Sequence, residues 1–369
     1  MLLHENKVDK KIFFMYNINN IMNKRIALVT GFGMDSKTIT HFLLSKGYHI
    51  FLAIRRNTVL DAENVCTFFQ DDLKNYPKSQ LSVLYCDVSD AVSVRTCIEK
   101  ICEIGCLDDV YHLAASSLVS YSYETPLLNI QTNGLSALHF LDAIRQLSSK
   151  TRFYFAASTE MYAGNTDDEK YTEISKFHPK TPYGCSKVLG FDLTRYFRET
   201  FGLFALSGVL ANHSNIYRHP SFFIRKLTQG ASRIALGKEK SIKFGHLKWA
   251  RDEFWADFGM EAAWKLLQLS IPQDTIIGNG NTKWGEEYVE LAFNYFNLKW
   301  QDYIKFDPEL LRRNEVIKLE VNPALATKTI NWQPNKISFK DHIELMCKWD
   351  FDLESGRTPI RPNVFELYP

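Results

Sequence analysis

The stretch TPYGCSKVLGF places Tyr183 and Lys187 four residues apart, on one face of a helix. An ammonium beside a phenol favours the phenolate, more so when the positive ring of an oxidised nicotinamide lies near both. Such a pair serves as a base toward a sugar hydroxyl during hydride transfer. The spacing alone arises by chance, and a packed aromatic next to a solvated lysine is the other reading. Weight comes from FAASTEMYAG upstream, where a β-rich run ends in Ser158, Thr159 and Glu160 and so brings a hydroxyl and a carboxylate to the same end of a sheet. For Glu160 the plainer alternative is a helix-capping carboxylate.

A cofactor for such chemistry needs a phosphate-binding turn. LVTGFGMDSKTIT runs from an apolar strand through Gly31 and Gly33 into a helix, with Ser36 where a third glycine would let helix and strand pack closely. Backbone amides at such a turn, with the helix dipole behind them, bind a pyrophosphate. Gly31 and Gly33 leave room for it, and the Ser36 hydroxyl is expected to donate to an oxygen. An ordinary strand-to-helix turn is the alternative. Arg55 and Arg56 follow the second strand, where an NAD-preferring enzyme carries an acid for the ribose hydroxyls; two guanidinium groups suit a 2′-phosphate and favour NADP over NAD. Two solvated arginines at a strand end would look the same. Asp87, in YCDVSD, is placed to meet the adenine edge, or to start a helix.

These residues hang on an alternation of strand and helix. RIALVT, YHIFLAI, LSVLYCDV, DVYHLAA, RFYFAAS and LFALSGVLAN read as strands. Helical patterns run through ITHFLLSKG, AENVCTFFQDDLKN, SVRTCIEKICE and LLNIQTNGLSALHFLDAIRQL, and another follows Tyr183. The pattern predicts an α/β fold, a Rossmann-type doubly wound parallel sheet with its ligands at the carboxyl ends of the strands. Beyond about Asn212 the alternation ends. Residues 24–211 are expected to be mainly dinucleotide-binding, and 212–369 mainly a smaller substrate-binding region interleaved with the first. Residues 1–23 carry too few apolar residues for a signal peptide or a membrane span and are expected not to fold with the rest.

The bulk numbers narrow the partners. With 369 residues, 45% of them hydrophobic, the chain can bury a large core, and its 44 basic and 42 acidic residues give a net charge of +2, with no basic face for nucleic acid. Seven cysteines, three of them (Cys97, Cys102 and Cys106) in an amphipathic segment, fit free thiols in a reducing cytoplasm, and no CxxC or His spacing suggests a metal.

The chain resembles the extended short-chain dehydrogenase/reductase family and, within it, the GDP-mannose 4,6-dehydratases. The resemblance covers about Lys24 to Leu353 and rests on VYHLAASSLVSYSYETP, TRFYFAASTEMYAG, HPKTPYGCSKVLGFDLTRYFRETFG, LANHSNIYRHPSFFIRK and FDPELLRRNEV. It implies that Ser158 assists Tyr183, that Glu160 is a general acid/base and that Lys187 holds the cofactor ribose and tunes the phenol. It places Asp35, Val88, Leu113 and Ala114 with Gly31, Gly33, Ser36, Arg55, Arg56 and Asp87 around the cofactor. Ser117, Asn212, Arg218, Lys226, Arg251, Arg312 and Glu315 fall on positions that look like the substrate's nucleotide-diphosphate site; for Arg251 and Arg312 a surface location is the alternative.

Three departures stand out. The family's TGxTGQDG turn is TGFGMDS, one residue shorter and without its last glycine. The family's Glu-Ser-Pro-Arg-Arg-Gly after the Asn-His pair becomes SNIYRHP, which keeps Arg218 but puts Ser214 in place of the acid. NTKWGEEY lacks a Ser-Val-Arg pattern. The resemblance implies a cytoplasmic, homodimeric or homotetrameric NADP-dependent lyase that converts GDP-mannose, or a related GDP-sugar, to its 4-keto-6-deoxy form. The alternatives are a GDP-sugar 4-dehydrogenase or epimerase of the same fold that eliminates no water, and a catalytically weakened nucleotide-sugar-binding subunit.

Overall fold

The computed structural model describes residues 24–56, 61–76, 79–165, 170–311 and 313–369. The N-terminal extension and Arg312 lie outside the described residues. Strands β1 (Ile26–Thr30), β2 (His49–Ile54), β3 (Gln80–Tyr85), β4 (Leu107–His112), β5 (Arg152–Ser158) and β6 (Ala205–Leu210) form on the six runs read as strands. Every residue of β1, β2 and β6 is buried. Helices cover both faces of a parallel sheet, and that is why these strands read as continuous apolar runs with no alternation.

Four short strands follow β6: β7 (Asn212–Ser214), β8 (Ile242–Phe244), β9 (Ala250–Trp255) and β10 (Thr275–Ile277). Then come β11 (Thr282–Trp284), β12 (Ile304–Phe306) and β13 (Lys318–Leu319). The main sheet has the order β10-β6-β5-β4-β1-β2-β3, and all its pairings are parallel. It is a doubly wound Rossmann-type sheet. Its seventh strand, β10, comes from beyond Asn212, where the sequence pattern shows no further alternation. A smaller sheet of β11, β9 and β13, with β7 also paired to β9, and a β8–β12 pair lie beyond its carboxyl edge.

The chain order reverses between β1 and β4, and a crevice opens at that point above the strand ends. One residue closes its floor. The Thr30 hydroxyl, at the end of β1, accepts the backbone N–H groups of Leu113 and Ala114, each at 2.9 Å, and lies 3.1 Å from His112 Nδ1. With two donors already on the oxygen, its proton goes to His112 Nδ1, so His112 carries its own proton on Nε2 and donates to Ser136 Oγ at 2.7 Å. Burial pushes the His112 imidazole down to about 3, consistent with a neutral ring.

The long helix Pro182–Phe201 begins at Thr181, whose Oγ1 accepts from Gly184 N at 2.9 Å, with Pro182 in the first turn. It packs across β5 and against the segment Pro126–Leu147. That segment, a single helical pattern in the sequence, contains a wider π-type turn over Ile130–Leu135. The wide turn carries Asn133, whose side-chain oxygen accepts from Ser116 N at 2.8 Å while its amide reaches Ser186 Oγ at 3.2 Å. Asn133 thus ties the loop after β4 to the helix of Tyr183.

Candidate active site

The glycine turn sits at the β1/β4 crevice. Gly31 has φ +86°, a left-handed conformation, and a Cβ there would meet Ala114 Cα at 3.3 Å, so glycine is required both for the turn and for the approach of the β4 loop. Gly33 precedes the helix Met34–Ser45 and faces open space. The Ser36 hydroxyl donates to the Thr30 carbonyl at 2.8 Å. The oxygen it meets therefore belongs to β1, and the serine replaces the glycine's close helix–strand packing with a buried hydrogen bond. A phosphate at this turn would be met by backbone amides and the helix dipole.

A cleft of about 620 Å³ runs from this turn along the strand ends. Gly31, Gly33, Asp35, Ser36, Arg55, Asp87, Val88, Leu113 and Ala114 line it at one end, and Ser117, Ser158, Glu160, Tyr183, Lys187, Asn212, Arg218 and Arg251 at the other. Arg56 does not line it; its guanidinium lies over the Tyr85 ring, 5.5 Å from the centroid, so Arg55 is the arginine of the pair that reaches the cleft. Asp87 Oδ1 accepts from the Ser89 hydroxyl at 2.6 Å and from Ser89 N at 3.0 Å. The Ser89 hydroxyl and then Ser89 N hold the Asp87 carboxyl low against the effect of burial, with Arg55 adding to them. The helix Ala91–Ile104 is capped by Asp90, which leaves Asp87 on the cleft wall.

At the other end, Ser158 terminates β5 and its Oγ accepts from Glu160 N at 3.3 Å, the cap of a tight turn over Thr159–Tyr162. That turn brings the half-buried Glu160 against the start of the Tyr183 helix. A Cβ on Gly184 would lie 2.8 Å from the Glu160 carbonyl oxygen, so the approach depends on this glycine. Tyr183 bonds Ser158. Burial pushes the phenol up to about 12, with the Ser158 bond and Arg218 pulling down and Glu160 and Asp35 pushing up. One turn on, the Lys187 ammonium donates to Ala156 O at 2.7 Å and lies 5.7 Å from the Tyr183 ring centroid. Burial lowers it to about 8, against an opposing pull from Asp35.

Arg218 is stacked on Phe222, with Cζ 3.6 Å from the ring centroid, and its buried Nε has no hydrogen-bond partner. A guanidinium so placed in a cleft is a waiting donor for an anion. Asn212 and Arg251 line the first cleft and also a second cavity of about 600 Å³. Lys226 and Glu315 line the second alone, together with Lys243, His246, Trp249 and Arg313. Arg251 is buried, which excludes the surface alternative. Its Nη1 donates to Ala250 O at 2.9 Å and Val316 O at 2.8 Å, and its Nη2 lies 3.2 Å from Glu315 Oε1. Lys226 Nζ donates to Lys243 O at 2.7 Å over the Phe244 ring.

Sequence reasoning missed His213. Its Nε2 lies 3.0 Å from Asp35 Oδ1 and its Nδ1 2.8 Å from Ala211 O. Also missed was Glu253 on β9, hydrogen-bonded to Ser214 and 3.4 Å from the Tyr288 hydroxyl, a buried acid beside the position where the family pattern carries one. His213 follows Asn212 directly, so its neighbour was its one available signal.

Sheet, crevice and the Ser158–Tyr183–Lys187 set define an enzyme of the extended short-chain dehydrogenase/reductase class. Solved structures of similar fold include dTDP-glucose 4,6-dehydratase from Bacillus anthracis in complex with NAD. It has a TM-score of 0.75 and 17% identity, over 91% of this chain and 100% of that one. RMD from Pseudomonas aeruginosa complexed with NADPH has a TM-score of 0.70 and 19% identity, over 89% and 98%. The family model for GDP-mannose 4,6 dehydratase matches residues 28–346. GDP-mannose 4,6 dehydratase 2 of Arabidopsis thaliana is 33% identical over 335 residues, 89% of this chain and 88% of that protein. The chain belongs to the GDP-mannose 4,6-dehydratase family.

Proposed function

We propose that the chain is an NADP-dependent nucleotide-sugar 4,6-dehydratase acting on GDP-mannose or a closely related GDP-sugar. The observation that carries this reading is the convergence of Ser158, Glu160, Tyr183 and Lys187 on a cleft that shares Asn212 and Arg251 with a second cavity bearing Lys226, Lys243 and Arg313. The shape fits two ligands meeting end to end, a dinucleotide in the first cleft and a nucleotide diphosphate in the second. Residues 24–211 would mainly hold the first and 212–369 the second. The open turn at Gly33, before the helix Met34–Ser45, fits an anionic cofactor, the unpartnered Nε of Arg218 fits the substrate's diphosphate, and Arg55 on the cleft wall supports NADP over NAD.

Bound there, a nicotinamide would supply, in its oxidised form, a hydride acceptor for carbon 4 and a positive charge that lowers the phenol further, and, once reduced, a hydride donor to carbon 6. Tyr183 takes the 4-hydroxyl proton, with Ser158 bonded to the phenol and Arg218 pulling its pKa down. The carbon 4 ketone acidifies the proton on carbon 5. Glu160 removes that proton and protonates the departing 6-hydroxyl, which leaves as water. When hydride reaches carbon 6, carbon 5 takes up a proton in place of the one Tyr183 removed from the 4-hydroxyl, by exchange with solvent, so the sequence involves no net oxidation.

Seven free thiols fit a cytoplasmic enzyme, and a homodimer or homotetramer is the proposed assembly; among the described residues no helix is long and apolar enough to cross a membrane. The test is incubation with GDP-mannose in heavy water. A product lighter by one water and carrying deuterium at carbon 5 is expected. Glu160→Gln should still oxidise carbon 4, seen as nicotinamide absorbance that rises and does not decay, with little dehydrated product. A keto-sugar that keeps its 6-hydroxyl and gains no deuterium would sink the dehydratase reading in favour of a 4-dehydrogenase or epimerase.

A further inference from the structure

Asp35 has the wrong charge for its place. It is the second residue of the helix Met34–Ser45, at the end that faces the cleft. A carboxylate there stabilises the helix but opposes any diphosphate drawn to the same amides. Among the described residues its hydrogen-bonding partner is His213, across the cleft at β7, with Nε2 3.0 Å from Asp35 Oδ1. The other ring nitrogen, Nδ1, is 2.8 Å from Ala211 O. A carboxylate and a carbonyl both only accept, so both ring nitrogens must donate and the ring is an imidazolium. It is held stacked on Phe254, with centroids 5.1 Å apart and planes 18° apart.

The titratable groups facing this pair are Arg218 after β7, Tyr154 on β5, Lys187 and Tyr183 on the helix Pro182–Phe201, Glu253 on β9 and the neutral His342 on the helix Phe339–Glu354. Burial lowers the His213 pKa and Arg218 opposes its charge, yet Asp35, with the Ala211 carbonyl, carries it above the ordinary value. Burial acts to raise Asp35, but His213, Arg218 and Lys187 hold it low. Arg218 is stacked on Phe222 and Lys187 is bonded to Ala156 O, which leaves His213 as the group that touches the carboxylate.

We infer that His213 is a positioning residue for the cofactor: its imidazolium neutralises Asp35 so that the helix end accepts the dinucleotide diphosphate, and its deprotonation leaves a carboxylate without its hydrogen-bonded cation, which weakens binding. The inference rests on the reading that the first cleft holds a nicotinamide dinucleotide.

NADPH, whose reduced ring is neutral, is the probe, titrated by fluorescence against the full chain from about pH 7 to about pH 9.5. The Kd of the unaltered protein should rise about tenfold across that range, the scale expected for one charge at short range in a partly screened site. His213→Gln should bind about tenfold more weakly at pH 7 and show no step from this pair. Asp35→Asn, alone or combined with His213→Gln, should lose the step, and the double variant should bind NADPH at pH 7 severalfold more tightly than His213→Gln. Lys187 also titrates in this window, but it is present in all four proteins, and the His213→Gln protein displays its contribution by itself. Circular dichroism checks that each variant is folded; should His213→Gln not fold, the unaltered protein against Asp35→Asn decides. Equal pH dependence in those two, or a double variant as weak as His213→Gln, overturns the inference. No NADPH binding by the unaltered protein at any pH overturns the cofactor reading and this inference with it.

Discussion

Lys187 is buried to 4% exposure with its ammonium on the Ala156 carbonyl, and that burial, against the pull of Asp35, lowers it to about 8. A lysine with a folded pKa below its ordinary 10.5 penalises the folded state wherever it must be charged. Between about pH 8 and 10.5 the unfolded chain binds the extra proton, so this group's contribution to stability rises with pH through that window. Lys187→Met removes it while leaving other titrations in place. Relative to that variant, the unaltered protein should gain up to about 3 kcal/mol as pH rises through the window, read from denaturant unfolding at several pH values. A constant difference would mean that the ammonium is solvated and the cleft wetter than its geometry implies. Lys187→Met should also nearly abolish turnover, because the same burial that destabilises the ammonium sets it 5.7 Å from the Tyr183 ring.

Among the elements, the approach of the Glu160 turn to the Tyr183 helix is the contact on which the elimination depends. Gly184→Ala drives a Cβ to 2.8 Å from the Glu160 carbonyl oxygen, and backbone must move to relieve it. The expected cost is about 1–3 kcal/mol in stability, with kcat down by about tenfold or more because a shift of a few tenths of an ångström misplaces the carboxyl. Cofactor affinity should stay near normal, since the glycine turn lies elsewhere on the cleft. Thermal melts, kcat and NADPH titration together check this, and an unchanged kcat would place the reacting carbon away from Glu160. The elements were legible in the sequence where burial dictates the residues: β1, β2, β5 and β6 must be apolar on both faces, and Tyr183 and Lys187 keep their spacing in any helix. Other features left no such trace. The three-residue β10 is too short to show a period, a π-type turn at Ile130–Leu135 has no signature in a 3.6-residue pattern, and the Asp35–His213 bond joins residues 178 positions apart. Ser36 and Arg56 were readable as residue types, but the direction of each side chain depends on Thr30 O and on Tyr85, neighbours that only the fold supplies.

For the molecule as a whole, two cavities share a wall at Asn212 and Arg251. If each holds its own ligand, substitutions on either side of that wall should separate. Arg55 lines the first cavity only and Lys226 the second only. A charge-assisted contact to a phosphate contributes roughly 1.5–3 kcal/mol, so Arg55→Ala should weaken NADPH about tenfold to a hundredfold, reduce its advantage over NADH and leave the KM for GDP-mannose alone. Arg56→Ala, whose guanidinium rests on Tyr85 outside the cleft, should do little to either. Lys226→Ala should do the reverse of Arg55→Ala, raising the KM for GDP-mannose while the NADPH Kd holds. Arg251 faces both cavities and is tied to Ala250 O, Val316 O and Glu315, so Arg251→Lys, which keeps the charge but loses the planar fork, should disturb the substrate side most. Isothermal titration of each variant with each ligand checks the pattern. A Lys226→Ala protein that loses NADPH affinity as strongly as Arg55→Ala would mean that a single extended ligand occupies both cavities.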